Sequence, residues 1–284
     1  MSTRWFSESL YSDFKQSFSI SEIVYEGRTE FQDIIIFQTQ RFGRVLALDG
    51  IIQTTEVDEF CYHEMIAHIP LVAHGACKKV LIIGGGDGGT LREVLKHPIE
   101  KAVVVELDKT VIEICMRHLP SLSGGAFDNP KTDLRILDGL TYVRETHEKF
   151  DIIIIDSTDP IGPGKALFSE IFYRNCSKCL NENGILVTQS GVTWMQSDVA
   201  RKTFENLNNI FLDADFFLAQ VPTYGAGFMT FGWGCNNKIS KMISRNELER
   251  RMSKLNLNTK YYNSSVHRGA FFLPGYIEAL KNIR

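Results

Sequence analysis

Residues 80–89 read Val-Leu-Ile-Ile-Gly-Gly-Gly-Asp-Gly-Gly. This is a wholly apolar run, Val80 to Ile83, that breaks into a glycine loop and then into a helical stretch from Thr90 to Lys96. Such a run, bounded by glycine and feeding a helix, is the pattern of a strand buried on both faces. The pattern recurs downstream. Ala102 to Val105 ends in Glu106-Leu107-Asp108 and precedes a helix over Lys109 to Leu119. Leu134 to Leu137 ends in Asp138-Gly139, Ile152 to Ile155 ends in Asp156, and Ile185 to Thr188 ends in Gln189. Apolar strands alternating with helices predict βαβ units, hence an α/β fold with a doubly wound parallel sheet.

Upstream the pattern is different. Phe31 to Gln38, Val45 to Leu48 and Ile51 to Thr55 read as strands, and Asp49-Gly50 is a two-residue hairpin signal. Glu56 to Ala73 has the apolar spacing of a helix through Phe60, Met65, Ile66, Ile69 and Val72. The boundary between a small antiparallel β region, 1–62, and the α/β domain, 63–284, is placed at Tyr62.

The 284 residues are 44% hydrophobic and 23% charged, with 31 Lys and Arg against 34 Asp and Glu, for a net charge of −3. These values are those of an ordinary globular protein and carry no basic excess for nucleic acid. No apolar run is long enough to span a bilayer, and Met1 to Lys15 is too polar for a secretory signal. Cys61, Cys77, Cys115, Cys176, Cys179 and Cys235 read as reduced packing residues, which together with the N-terminus predicts a cytoplasmic protein. Cys176 and Cys179 form a CxxC, but one lying in a helix and without a second ligand pair.

Ligands of open α/β sheets bind beyond the carboxyl ends of the strands. Those ends carry Asp87, Glu106, Asp138, Asp156 and Asp159. Each alone reads as a cap or turn residue, but together in one crevice they would repel unless a cation sat among them. Gly84, Gly86 and Gly89 satisfy GxGxxG, with Glu106 about twenty residues on, where a ribose-binding acid belongs. Asp87 argues against a dinucleotide, because a carboxylate inside the loop would face the pyrophosphate. An adenosine ligand with a cationic appendage, a sulfonium or an amine, fits better. Asp156 and Asp159 lie three residues apart on a Pro/Gly-rich loop, a pair suited to an amine, and Thr158 to Phe168 reads as a connector or a lid.

The segments LALDGIIQTTEVDEFCYHEM, VLIIGGGDGGTLREV, DIIIIDSTDPIGP, VPTYGAGFMTF and YYNSSVHRGAFFLP together resemble the spermidine synthase family of aminopropyltransferases, over essentially the whole chain. The resemblance implies a Rossmann-like methyltransferase-type domain behind an N-terminal β-domain, and a homodimer or homotetramer without metal or cofactor. The implied reaction transfers the aminopropyl group of decarboxylated S-adenosylmethionine to putrescine, giving spermidine and methylthioadenosine. Carried over by residue, it puts Gln32, Glu106, Asp138 and Gly139 on the nucleoside, His63 and Asp87 on the aminopropyl amine, and Pro163 in the loop above. Asp156 matches the catalytic aspartate, Asp159 a putrescine-binding one, and Tyr62, Gln189 and Tyr224 the amine channel, with Trp5 near its far end and the Ser157 carbonyl beside the attacking nitrogen. Relatives that methylate putrescine or use another amine share the fold. A nicotinamide dehydrogenase is disfavoured by Asp87, and a non-catalytic binding protein by the presence of every acid.

Overall fold

A computed structural model describes residues 4–236, 241 and 243–282. The N-terminal part is all β. Strands β1 (Arg4–Ser7) and β2 (Ser17–Ile20) form a two-stranded antiparallel sheet. Strands β3 (Glu22–Arg28), β4 (Asp33–Thr39), β5 (Gly43–Leu48) and β6 (Ile51–Thr55) form a four-stranded meander. Asp49 and Gly50 both have positive φ, 49° and 77°, as the two-residue turn joining β5 to β6 requires. Strands β1 to β3 carry few consecutive apolar residues, which is why the sequence pattern does not reveal them.

Helix α1 (Phe60–His74) begins four residues later than its apolar spacing predicts. The Thr55 hydroxyl donates to Asp58 Oδ1 at 2.6 Å, and Asp58 Oδ2 accepts from both the amide and the hydroxyl of Thr223. That turn holds 56–59 out of the helix. The β region therefore ends at Thr55, and Tyr62 lies in the first turn of α1 rather than at a chain boundary.

The second part is one seven-stranded sheet. Its strands are β7 (Lys79–Gly84), β8 (Lys101–Glu106), β9 (Thr132–Ile136), β10 (Phe150–Asp156), β11 (Leu180–Val192), β12 (Asp213–Ala219) and β13 (Met229–Cys235), in the spatial order β12-β13-β11-β10-β7-β8-β9. Residues 80–83, 102–105 and 152–155 are buried without exception. Alternate residues serve opposite faces. Val80, Ile82, Val104 and Ile154 pack with Met65, Ile69 and Val72 of α1, while Leu81, Ile83, Val105 and Ile155 pack with Tyr142, Phe172 and Tyr173. Cys176 and Cys179 belong to that second layer and are both buried.

The sheet is not wholly parallel, as the strand–helix alternation predicts. Strand β13 runs antiparallel to β11 and β12. The nine residues 220–228 are too few for the crossover that a parallel neighbour needs, so the chain turns straight back. Among the described residues no helix is long and apolar enough to cross a membrane.

The switch point lies between β7 and β10. The Gly85 amide donates to the Asp156 carbonyl at 2.9 Å, and a Cβ on Gly84, at φ 85°, would stand 2.2 Å from that same oxygen. This contact brings the glycine loop against the end of β10. Gly84→Ala should combine overpacking with an αL penalty and destabilise the fold by about 3 kcal/mol. Urea unfolding followed by circular dichroism measures the loss.

Candidate active site

Five strand ends and the β meander enclose one cavity, lined by Gln32, Tyr62, His63, Asp87, Glu106, Asp138, Gly139, Asp156, Asp159, Gln189 and Tyr224 together with Glu8, Tyr11 and Gln196. The lining contains seven carboxylates and no lysine or arginine. Pro163 sits in the 3₁₀ turn Gly162–Phe168 beside the mouth, and its side chain lies outside the described residues. Trp5 is 58% exposed on β1 and is not among the cavity's lining residues.

The glycine loop presents Asp87 at the head of helix α2 (Gly89–Leu95). Its Oδ1 accepts from the Gly89 amide at 2.8 Å, and its Oδ2 lies 3.4 Å from His63 Nε2. The other ring nitrogen, Nδ1, is 2.6 Å from Glu59 Oε2, and Arg92 Nη2 reaches both oxygens of Glu59 at 3.0 and 2.8 Å. Burial alone would discharge His63, but Asp87 and Glu59 on either side hold its pKa well above the usual imidazole range. Burial likewise opposes ionisation of Asp87, and the His63 charge overrides it. Both imidazole nitrogens are therefore engaged by carboxylates, so His63 orients Asp87.

At the end of β8, Glu106 accepts from the Asp108 amide at 3.0 Å, yet burial pushes its carboxyl up to about 7. Gln32 Nε2 donates to Asp108 Oδ2 at 3.2 Å, which brings the meander against this strand end, while Asp108 Oδ1 caps α3 (Lys109–His118). Asp138 caps the helix Gly139–Glu145, accepting from the amides of Leu140 and Thr141 and from the Thr141 hydroxyl. It is thus both the cap residue that its type suggests and part of the cavity wall.

At the end of β10, Asp156 Oδ1 accepts from the Tyr62 hydroxyl and Oδ2 from the Thr90 hydroxyl, each at 2.7 Å. Burial raises its pKa, and of its two nearest charges His63 lowers it and Asp87 raises it again. Neutral hydroxyls thus fix both oxygens while leaving the group more basic than an ordinary carboxylate. Farther along, Asp159 is also raised by burial. Gln196 Nε2 donates to its Oδ1 at 2.8 Å. Glu8 and Tyr11 of the β1–β2 connection have their pKa values raised by burial and by the nearby Asp159 charge. The Tyr62 and Tyr224 rings meet edge to face with centroids 6.1 Å apart, and the Tyr224 hydroxyl donates to the Gln53 carbonyl. Gln189 donates to the Thr158 carbonyl at 3.1 Å. The geometry is that of an elongated anionic slot whose walls can hold a nucleoside at one end and cationic groups along the rest.

Residues 59–245 match the spermine/spermidine synthase domain, and residues 4–56 match the spermidine synthase tetramerisation domain. The chain belongs to the spermine/spermidine synthase family. It is 52% identical to the polyamine aminopropyltransferase of Pseudomonas syringae pv. tomato over 273 residues, 96% of each chain. It is 51% identical to polyamine aminopropyltransferase 1 of Pseudomonas aeruginosa, again over 96% of each. Among solved structures, a spermidine synthase in complex with the transition-state analogue AdoDATO superposes with a TM-score of 0.93 at 38% identity, covering 99% of this chain and 96% of that one. The spermidine synthase of Thermotoga maritima gives 0.90 at 36% identity, covering 100% and 96%. The chain is an aminopropyltransferase by these relationships, and its N-terminal sheets correspond to a segment through which the family oligomerises.

Several site residues of this family member escape sequence reasoning. Thr90, Glu59 and Gln196 are ordinary polar residues in helices or turns, and only folding shows that Thr90 meets Asp156, Glu59 meets His63 and Gln196 meets Asp159. Glu8 and Tyr11 lie in a stretch with no periodicity at all.

Glu106 supplies a pH test. Its folded pKa is raised, so the folded state holds the proton more tightly than the unfolded chain. The proton-linked stability is present below the ordinary carboxylate range and is lost as pH rises through about 7. Glu106→Gln should therefore leave stability unchanged at pH 4.5 and raise it at pH 8. The gain is at most about 3 kcal/mol, reduced by water in the cavity. Denaturant titrations of both proteins at the two pH values measure the difference.

Proposed function

We propose that the protein is a spermidine synthase: decarboxylated S-adenosylmethionine donates its aminopropyl group to putrescine, giving spermidine and methylthioadenosine. The observation that carries this reading is the row of half-buried carboxylates Asp87, Asp156 and Asp159 in one slot without a lysine or arginine. Such a row matches a ligand set with one sulfonium and several amines. In this reading Glu106 accepts from the ribose hydroxyls, Gln32, Asp138 and Gly139 border the adenine, and Asp87 holds the donor ammonium with His63 behind it. Tyr62, Gln189 and Tyr224 shape the acceptor channel, and Asp159 takes the distal ammonium of the diamine.

The chemistry follows from the charges. A sulfonium makes its neighbouring methylene electrophilic, so no Lewis acid or redox group is required. The acceptor nitrogen first gives a proton to Asp156. Its lone pair then forms the N–C bond as the C–S bond breaks, and the sulfur keeps that electron pair as a neutral thioether. The raised pKa of Asp156 suits it to take the proton, and the Tyr62 and Thr90 hydroxyls keep its oxygens aimed. Much of the remaining acceleration comes from holding nitrogen, carbon and sulfur in line. The proposed working form is a cytoplasmic homodimer or homotetramer with no metal or organic cofactor, a reading supported by the tetramerisation segment and by the burial of all six cysteines.

Release of methylthioadenosine from the donor in the presence of putrescine, read by mass spectrometry, tests the reaction; no product with any amine would overturn it. Asp156→Asn should retain donor affinity and lower kcat about 10²- to 10⁴-fold, since the amide cannot accept the proton. A near-normal kcat would remove Asp156 as the base.

Asp87 governs the choice of donor. It attracts the amine of decarboxylated S-adenosylmethionine and repels the carboxylate of S-adenosylmethionine, each by about 4 kcal/mol at 4 Å and an effective dielectric of 20 before solvation is subtracted. Asp87→Asn should weaken the decarboxylated donor and narrow its advantage at least tenfold. Calorimetric dissociation constants for both donors give the ratio, and an unchanged ratio would place discrimination elsewhere.

A further inference from the structure

The end of β11 holds two glutamines whose amide groups cannot turn over. Gln189 Oε1 accepts from the Gly191 amide at 2.9 Å, which leaves its Nε2 to donate to the Thr158 carbonyl. Gln196, the residue before the helix Ser197–Asn208, repeats the device seven residues on. Its Oε1 accepts from the Val192 amide at 2.8 Å, which directs its Nε2 to Asp159 Oδ1 at 2.8 Å. The turn that brings Gln196 there is closed by the Gln196 amide on the Val192 carbonyl. It passes under Gly191, at φ 76°, where any Cβ would stand 2.4 Å from Gln196 Oε1. The two amides thus bracket the loop that follows Asp156, one on its main chain and one on its second carboxylate.

A neutral donor here has a distinct consequence. Lysine or arginine would orient Asp159 equally well but would cancel its charge. An amide orients it and leaves the charge for a ligand, and no other hydrogen bond reaches the Asp159 carboxylate among the described residues. We propose that Gln196 is the positioning residue that aims Asp159 at the distal ammonium of the acceptor, and that this bond gives the enzyme its preference for diamines over monoamines. The proposal rests on the acceptor reading above and names the specificity element within it.

The test compares wild type with Gln196→Met, which keeps length and volume but cannot donate, using decarboxylated S-adenosylmethionine and either putrescine or n-butylamine. A hydrogen bond to a charged group is worth roughly tenfold or more in affinity. The expected result is a rise of about tenfold or more in KM for putrescine, with kcat and donor KM within threefold of wild type. Binding of n-butylamine to the methylthioadenosine complex, measured by calorimetry, should stay within twofold of wild type, including the case in which both proteins bind it too weakly to detect. An unchanged putrescine KM overturns the proposal. So does an equal loss for the two amines, or a fall in donor affinity, since each marks a general disturbance of the site. If wild type itself turns over no diamine, the acceptor reading fails and this proposal with it; normal wild-type turnover with an unaffected variant removes only the role of Gln196.

Discussion

Carboxylates of like charge confined to one poorly solvated slot repel each other, and the architecture of this protein is organised around tolerating that repulsion. Glu106, Asp87, Asp156 and Asp159 are handled in four different ways. Asp87 is kept ionised by an imidazolium. Asp156 is fixed by two hydroxyls and Asp159 by an amide, and both are left with raised pKa values. Glu106, supported by main-chain amides, is pushed up to about 7 by burial. The gradation matters because a ligand that brings positive charge relieves the repulsion.

The scaffold makes this arrangement possible by meeting at one corner. Tyr62 and His63 come from the first turn of α1, Asp87 and Thr90 from the glycine loop and α2, and Asp156 from the end of β10. The Gly84 and Gly85 backbone presses directly on Asp156, so the glycine loop and the end of β10 share one hard contact. Behind them a chain of alternating charges runs from Asp87 through His63 and Glu59 to Arg92 and Glu93. His63 and Glu59 are each paired on both sides, so the buried imidazolium is not an isolated charge. The N-terminal sheets contribute beyond their match to a tetramerisation segment. Gln32 reaches Asp108, and Glu8 and Tyr11 line the wall beside Asp159. The β region and the α/β domain therefore make one site between them.

Much of this was legible in the chain itself. Apolar strands of four residues ending in Glu106 or Asp156 announce a sheet covered on both faces, and its ligand-binding edge follows from that topology. The Asp49-Gly50 turn and Asp87 within the glycine loop are equally local, because a hairpin or a misplaced charge is settled by neighbours in sequence. Eleven of the twelve expected site residues line the one cavity, and the twelfth, Pro163, lies in the turn Gly162–Phe168 with its side chain outside the described residues.

What the sequence left open shares a different physical character. The antiparallel setting of β13, the late start of α1 and the hidden strands β1 to β3 depend on loop lengths and on cross-chain bonds such as Asp58 to Thr223. The partners of Asp156 and Asp159 are supplied by Thr90, Tyr62 and Gln196, and the bonds to Tyr62 and Gln196 span 94 and 37 residues of chain. Strand and helix patterns record burial, which is periodic along the chain and so can be read locally. The identity of a hydrogen-bond donor beside a buried acid carries no periodicity, and only the closed tertiary structure decides it.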